Sequence, residues 1–394
     1  MNKNIVLGIS GGIAAYKMVE VASTLTKMGA TVDVVMTEAA TEFVTPLTFR
    51  SITHRPVETT LFTPPESFDV KHISLAKKAD LFLIAPATAN IIGKIANGIA
   101  DDLLTTIIMA TQAKVMISPA MNVNMYNNPI VQDNLNYLKE KDYKIIAPGA
   151  GYLACGDLGA GRLPEPEILV EHIKKEVSNK DLVNKKILVT AGPTREAIDP
   201  VRFITNHSSG KMGYELAKIA SYRGADVTLI SGPTELPPPL GVNLIEINSA
   251  QDMKEEIAKI AKKQDIIIKA AAVADLKAKN YSSNKLKKAK KKINKIEFES
   301  TPDILADLGS KKENGQLLVG FAAESESLID NSMDKLKKKN LDMIIANNIT
   351  KEESGFQSDD NEVFIITSDI KEKLPLMKKS KLANIILDEI KKLN

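Results

Sequence analysis

A single cysteine, Cys155, stands among 394 residues, so no intramolecular disulfide can form, which suits a reducing compartment. Tryptophan is absent and aromatics make up only 5% of the chain, which removes the stacking platforms used to hold single-stranded nucleic acid. Charge of one sign is missing too. Fifty-two basic residues face 49 acidic ones, and the net +3 gives no case for nucleic acid as a partner. No apolar run reaches the roughly 18–20 residues that span a bilayer. The opening MNKNIVLGISGG is interrupted by glycine too early for a secretory signal. These absences lead to the expectation of a cytoplasmic protein that works on small molecules, with no nucleic acid and no membrane as partner.

What is present is a globular composition, 44% apolar and 26% charged, in a chain too long for one ordinary core. Continuous apolar runs at residues 5–7, 32–36, 81–84, 115–117 and 145–146 alternate with helical spacing, as at 14–28. Such runs belong to parallel strands covered on both faces. The pattern restarts with runs at 187–189, 227–230, 244–247, 266–268, 317–319, 343–346 and 363–366. Between the two sets, residues 173–186 read as a helix end and a polar linker. Residues 380–394 carry Leu382, Ile385, Ile386, Ile390 and Leu393 on one helical face and read as a closing helix. The expected fold is α/β with two Rossmann-like doubly wound domains, at 1–180 and 185–394.

The first domain opens with strand, Gly8-Ile9-Ser10-Gly11-Gly12, helix. Glycine lets the backbone approach a ligand, and a helix start offers unpaired N–H groups to phosphate. The loop departs from the dinucleotide pattern because Ser10 holds the second glycine place. The second strand ends Met36-Thr37-Glu38, where Glu38 suits a ribose and Thr37 a terminal phosphate. A mononucleotide site and a merely tight βα turn both fit. Two further clusters, Pro86-Ala87-Thr88-Ala89-Asn90 and Pro119-Ala120-Met121-Asn122, follow strands, at the ends where open α/β sheets bind ligands. The run Ala154-Cys155-Gly156-Asp157-Leu158-Gly159-Ala160-Gly161-Arg162 surrounds the thiol with small residues, a poor setting for a core cysteine.

Taken together, GISGGIAAYK, KHISLA, PATAN, PAMNVNM and ACGDLGAGR resemble the flavin-dependent cysteine decarboxylase family, in the branch acting on phosphopantothenoylcysteine. The resemblance implies a flavodoxin-like flavoprotein domain that binds FMN through Ser10, Gly11, Gly12, Thr37, Thr88, Ala89 and Asn90. It implies His72 as the active-site histidine, Asn122 as the holder of the substrate carboxylate and Cys155 as the proton donor. The chemistry is compatible: imidazole takes a proton near neutrality, an amide holds a carboxylate without opposing its departure, and a thiol can protonate a carbanion-like centre. Without that resemblance, His72 reads as a capping or surface group and Asn122 as an Asx turn.

In the second domain, Gly192-Pro193-Thr194-Arg195-Glu196 follows the first strand, and Asn206-His207-Ser208-Ser209-Gly210-Lys211-Met212-Gly213 leads into a helix beginning near 209–211. There is no Walker A motif, since Met follows Lys211. The strand at 227–230 ends in Ser231-Gly232-Pro233 without an acidic residue for an NAD ribose, which argues against a dehydrogenase. A lysine run from 285 to 295 reads by default as a solvated face. GPTREAIDPVRFITNHSSGKMG, AAAVAD, KLKK, TPDIL and VGFAAE together resemble the phosphopantothenate–cysteine ligase family. That resemblance implies activation of a carboxylate by CTP with Mg²⁺, then attack by the amine of cysteine. It implies a role for Asn206 in handling the acyl-cytidylate. Ala272, Asp275, Lys285, Pro302, Asp303, Ile304, Leu305, Phe321, Lys335 and Lys339 become nucleotide contacts, Asp275 also serving the metal. It further implies a homo-oligomer of decarboxylase trimers and ligase dimers. One departure stands out: Leu276-Lys277 follows the aspartate where an aromatic and an arginine are common. The rival readings are a peptide-cysteine decarboxylase, a flavin prenyltransferase and a flavin-binding regulatory protein. The first two leave the ligase motifs unexplained; His72, Asn122, Cys155 and Asn206 oppose the third.

Overall fold

The computed structural model describes residues 1–62, 71–152, 156, 158–286, 296–324, 326–348 and 358–393. The chain divides into two compact units, Met1–Ser178 and Asn179–Asn394. Among the described residues no helix is long and apolar enough to cross a membrane.

In the first unit, β1 (Asn4–Ile9), β2 (Thr31–Met36), β3 (Val57–Glu58), β4 (Leu81–Ala87), β5 (Lys114–Pro119) and β6 (Lys144–Ile145) form a parallel sheet ordered β3-β2-β1-β4-β5-β6. The strands are apolar on both sides because both faces are covered. Ile5, Leu7 and Ile9 face Met18, Val21 and Leu25 of the helix Lys17–Lys27 and Leu169 and Ile173 of the helix Pro166–Val177. Val6, Phe82 and Ile84 face Ile91, Ile92 and Ile95 of the helix Ala89–Ala96 and Leu104, Ile107 and Ile108 of the helix Leu103–Ala110. Each such side chain contributes about 1.5–3 kcal/mol when removed from water. The helix expected at 14–28 begins as a short 3₁₀ turn, Ile13–Tyr16, before the α-helix proper. Beside the sheet, β7 (Gly149–Tyr152) and β8 (Leu158–Arg162) make an antiparallel hairpin.

The second unit holds β9 (Lys186–Ala191), β10 (Arg195–Asp199), β11 (Arg202–Thr205), β12 (Asp226–Ser231), β13 (Asn243–Glu246), β14 (Ile266–Lys269), β15 (Leu276–Ala278), β16 (Phe298–Ser300), β17 (Leu317–Glu324), β18 (Met343–Asn348), β19 (Asp360–Ile366) and β20 (Lys371–Lys378). Its main sheet runs β13-β12-β9-β14-β17-β18-β19-β20, parallel through β18 and then antiparallel. The pairs β10–β11 and β15–β16 stand apart as small sheets. Strand β14 ends at Lys269, and Ala270 to Asp275 follow as irregular chain that still bonds to the end of β9, Ala270 N to Thr190 O at 3.2 Å and Ala272 N to Gly192 O at 3.0 Å. The closing helix, Lys379–Lys392, buries Leu382, Ile386 and Ile390, whereas Leu393 lies just past its end and is exposed. Arg223, almost buried, grips Asp181 through two bonds of 2.8 and 2.7 Å and pairs with Asp388 of the closing helix.

The first unit carries a half-buried polar cluster on the helix Pro166–Val177. His172 of the helix Pro166–Val177 has a buried Nδ1 that meets no hydrogen-bond partner among the described residues. Burial first, then the charges of Lys144 and Lys175, push its pKa down to about 4. Glu176 receives Lys114 at 2.6 Å and Lys144 at 2.7 Å, and despite burial these hold it near about 2. An unfolded imidazole takes a proton near 6.5; the folded one does so only near 4. Stability is therefore complete above the first value and lost as pH falls toward the second. Glu176 adds a loss lower still, as pH falls from 4.5 toward 2. The melting transition of the first unit is expected to drop by several degrees between pH 7 and 4.5. His172→Gln should flatten most of that drop in a pH series of calorimetric scans; an unchanged slope would contradict this.

Candidate functional site

The first site grows from the strand order. Chain connections leave β1 and β4 in opposite directions, which opens a crevice at their carboxyl ends. Ser10 follows β1 and Thr88 follows β4. The Ser10 hydroxyl, buried, donates to Pro86 O at 2.7 Å and accepts the Thr88 N–H at 3.1 Å. Thr88 also caps the helix Ala89–Ala96, accepting from Ile91 N. Ala89 is half-buried and Asn90 exposed in that helix's first turn. Across the loop, Thr37 caps the short helix Glu38–Thr41, and its N–H reaches Ile9 O at 3.0 Å.

Gly11 lies against that helix so closely that a Cβ there would fall 2.5 Å from the Ala39 Cβ and 3.0 Å from its carbonyl oxygen. Among the described residues, the N–H groups of Gly11 and Gly12 donate to no protein acceptor. Two orphan donors at the switch point, rimmed by hydroxyls and without a bulky side chain, are the set an oxygen-rich phosphate or polyol would complete.

Asn122 follows β5 and caps the turn Val123–Tyr126, its Oδ1 accepting from Asn124 N at 2.8 Å. That is the Asx turn anticipated as the bland reading. The bond uses the oxygen and so orients the amide nitrogen side, the donor a carboxylate needs. The hairpin packs on this turn: Met121 N donates to Gly161 O at 3.0 Å. Gly161 has φ +139°, and a Cβ there would sit 2.3 Å from Met121 O, so no other residue type fits without displacing the turn. Cys155, between β7 and β8 in the chain, lies outside the described residues.

His72 is the second residue of the helix Lys71–Lys78, which precedes β4 and runs antiparallel to it, so His72 lies toward the carboxyl rim. Lys71 fixes that end by pairing with Glu58 at 3.0 Å, where β3 finishes. His72 is half-buried and makes no side-chain hydrogen bond among the described residues.

The second site forms at the matching crevice between β9 and β14. Asn206, exposed, donates from Nδ2 to Ala272 O at 3.0 Å, joining two residues singled out from the sequence 66 positions apart. Ala272 also bridges Pro193, and the Thr194 hydroxyl receives Ala274 N. Thr301 N donates to Asp275 O at 3.0 Å, which sets Pro302 beside the exposed Asp275. Asp303 caps the helix Ile304–Ser310, whose Ile304 and Leu305 are buried, and its carboxylate pairs with Lys339 at 2.8 Å. Burial opposes its charge, but Lys339, the Ala306 N–H and the Lys269 charge overcome it and hold Asp303 below the usual range. Lys335 lies in the last turn of the helix Leu328–Lys338, and Lys339 caps its end.

Lys285 is exposed, and its neighbour Leu286 is gripped from both sides: Leu286 N donates to Asp199 at 3.1 Å and Arg202 donates to Leu286 O at 2.7 Å. Phe321, half-buried, lines a cavity of about 150 Å³ with Gly210, Lys211, Asn361 and Lys379. Leu276 and Lys277, the departure noted in the sequence, open β15, where Lys277 pairs with Glu299 of β16 at 3.2 Å.

Two cations were missed. Lys379 heads the closing helix, is buried, and donates to Ser358 O; burial and the nearby Lys211 lower its pKa. Lys269 ends β14 beside Asp303, Lys339 and Asp275. Burial first, then Lys339, push it down to about 8 against the pull of the two aspartates. The only trace of Lys269 in the sequence is one charge after three isoleucines.

The comparisons with known proteins align with this division. Residues 1–178 match the family model described as Flavoprotein, and residues 182–393 that of the DNA/pantothenate metabolism flavoprotein C-terminal domain. The coenzyme A biosynthesis bifunctional protein CoaBC of Vibrio cholerae is 48% identical over 386 residues, covering 98% of this chain and 97% of that protein. The protein of the same name from Bacillus subtilis is 48% identical over 394 residues, covering 99% and 97%. A crystal structure of the C-terminal domain of a CoaBC protein is 44% identical, covers 54% of this chain and 96% of that one, and superposes with a TM-score of 0.46.

Proposed function

The chain belongs to the family of coenzyme A biosynthesis bifunctional proteins, and from that membership we propose how its two rims divide the work. It is a bifunctional enzyme with a flavoprotein decarboxylase domain and a ligase domain. The second unit joins 4′-phosphopantothenate to cysteine at the expense of CTP. The first decarboxylates the resulting 4′-phosphopantothenoylcysteine to 4′-phosphopantetheine with FMN. The observation that carries this reading is the pair of switch-point crevices, one rimmed by Ser10, Gly11 and Thr88, the other by Asn206, Ala272 and Asp275.

In the ligase, the substrate carboxylate attacks the α-phosphorus of CTP, forming an acyl-cytidylate and releasing pyrophosphate. The amine of cysteine then displaces CMP. Lys285, Lys335, Lys339 and Lys269 supply positive charge where the triphosphate is cleaved. The backbone from Pro302 to Leu305 reads the base, and Phe321 packs against the nucleotide. Asn206, anchored on Ala272, faces the acyl-cytidylate. Among the described residues no cluster of three carboxylate, imidazole or thiol ligands exists. Magnesium here would be held by phosphate oxygens with Asp275 as the protein ligand, and would neutralise the triphosphate.

In the decarboxylase, the unpaired Gly11 and Gly12 N–H groups and the Ser10 and Thr88 hydroxyls fit a flavin mononucleotide, with Thr37, Ala89 and Asn90 around it. Bound there, FMN supplies reversible two-electron chemistry at the substrate's thiol-bearing carbon. His72 takes the thiol proton, and Asn122 holds the carboxylate by its amide until carbon dioxide leaves. The charge left behind delocalises onto sulfur, and Cys155 returns a proton. We place the enzyme in the cytoplasm as a homo-oligomer built from decarboxylase trimers and ligase dimers.

The test is an assay of purified protein with 4′-phosphopantothenate, cysteine and each common nucleoside triphosphate in turn. CTP should support amide formation at least about tenfold better than the others, a discrimination of about 1.4 kcal/mol. Equal use of all four would remove the assigned reading of the base.

A further inference from the structure

Lysine is among the residues least often buried, yet Lys17 is only 7% exposed. It begins the helix that follows the Gly11–Gly12 loop, directly after the turn Ile13–Tyr16. Its ammonium donates to Leu163 O at 3.2 Å and to Glu165 Oε2 at 2.8 Å. The other Glu165 oxygen takes Arg162 Nη2 at 2.8 Å. Arg162 closes β8, and Glu165 stands at the N-cap of the helix Pro166–Val177. One carboxylate therefore ties together the start of the loop helix, the exit of the hairpin and the start of the next helix. The Lys17 bond, ahead of opposing burial and the charges of Lys17 and Arg162, holds Glu165 ionised below its ordinary range.

The same hairpin meets the Asn122 turn with no slack. A Cβ at Gly159 would approach Val123 Cγ2 to 2.6 Å, and one at Gly161 would approach Met121 O to 2.3 Å. Any slide of β8 is thus transmitted to the turn that orients Asn122. A half-buried ion pair adds little net stability, because desolvation offsets its attraction; what it does well is select one register.

We infer that Lys17 and Glu165 form a positioning pair, which sets the register of the β7–β8 hairpin on the Met121–Val123 turn and so aligns the decarboxylating groups. Neither residue is among those assigned to the flavin or the substrate. The inference rests on the decarboxylase reading of the first unit.

The experiment uses the full-length protein loaded with FMN, comparing wild type with Lys17→Met, Lys17→Arg, Glu165→Gln and the Met/Gln double variant. Flavin content, melting temperature and steady-state decarboxylation of 4′-phosphopantothenoylcysteine are measured for each. Lys17→Met and Glu165→Gln should keep stoichiometric FMN and a KM within about twofold, while kcat falls about 10- to 100-fold, the scale of a misplacement near 1 Å. The double variant should be no worse than either single one, and Lys17→Arg should recover most of the rate. Wild-type kcat in FMN-loaded Glu165→Gln, or losses that merely track flavin loss or unfolding, would overturn the pairing. A wild type that releases no carbon dioxide would instead overturn the decarboxylase reading.

Discussion

Asn206→Asp is expected to leave the first-turnover release of pyrophosphate from CTP close to the wild-type rate while amide formation falls by about 10²- to 10³-fold. The side chain is exposed and spends one N–H on Ala272 O at 3.0 Å. A carboxylate cannot make that bond, because it only accepts. It would turn away from Ala272 and bring a negative charge to the edge where the proposed acyl-cytidylate lies. Loss of one preorganised donor at a developing charge costs a factor of this size. Activation, which draws on the lysines and Asp275, would proceed, and the acyl-cytidylate would accumulate. Quenched time courses that resolve pyrophosphate, acyl-cytidylate and amide check this. Amide production at the wild-type rate would show that Asn206 does not handle the intermediate.

Gly11→Val is expected to abolish flavin retention and carbon dioxide release while the ligase continues. A Cβ at this position would lie 2.5 Å from Ala39 Cβ and 3.0 Å from the Ala39 carbonyl oxygen and carbon, a clash with backbone that a rotamer change cannot relieve. The loop would have to move by more than a few tenths of an ångström, taking the Gly11 and Gly12 N–H groups and the Ser10–Thr88 bond out of register. Valine also stiffens a position chosen for close approach. The core strand β1 stays buried, so the unit should still fold, about 1–3 kcal/mol less stable. Absorbance near the flavin band, with pyrophosphate release in the same sample, separates the outcomes. A yellow, decarboxylating Gly11→Val protein would contradict the placement of the flavin.

Much of this architecture was legible because parallel strands covered on both faces must be continuously apolar. Ile5, Leu7, Val32, Leu83 and Ile117, and later Ile187, Ile266 and Leu318, announce themselves for that reason. The strand β20 did not. It reads Lys-Glu-Lys-Leu-Pro-Leu-Met-Lys and buries only Leu374, as an edge strand kept charged and proline-bearing does. The small pairs β10–β11 and β15–β16 escaped too, since Phe203, Leu276 and Phe298 are exposed and leave no alternation to read.

Of the sites, the glycine loop and the Asn122 turn were visible as local patterns. The partners were not. The Asn206 bond to Ala272 and the Lys17 pair with Glu165 join residues far apart in the chain. Lys269 was hidden by its position, because a charge after Ile266-Ile267-Ile268 looks like a strand end until burial and Lys339 are seen to weaken it.

The most direct test is the stoichiometry of carbon dioxide and pyrophosphate when purified protein is given 4′-phosphopantothenate, 1-¹⁴C-cysteine and CTP together. Two working rims on one chain predict labelled carbon dioxide and pyrophosphate in a ratio approaching one to one, with unlabelled 4′-phosphopantetheine as product. Pyrophosphate without labelled carbon dioxide, or neither, from protein that carries its flavin would contradict the account.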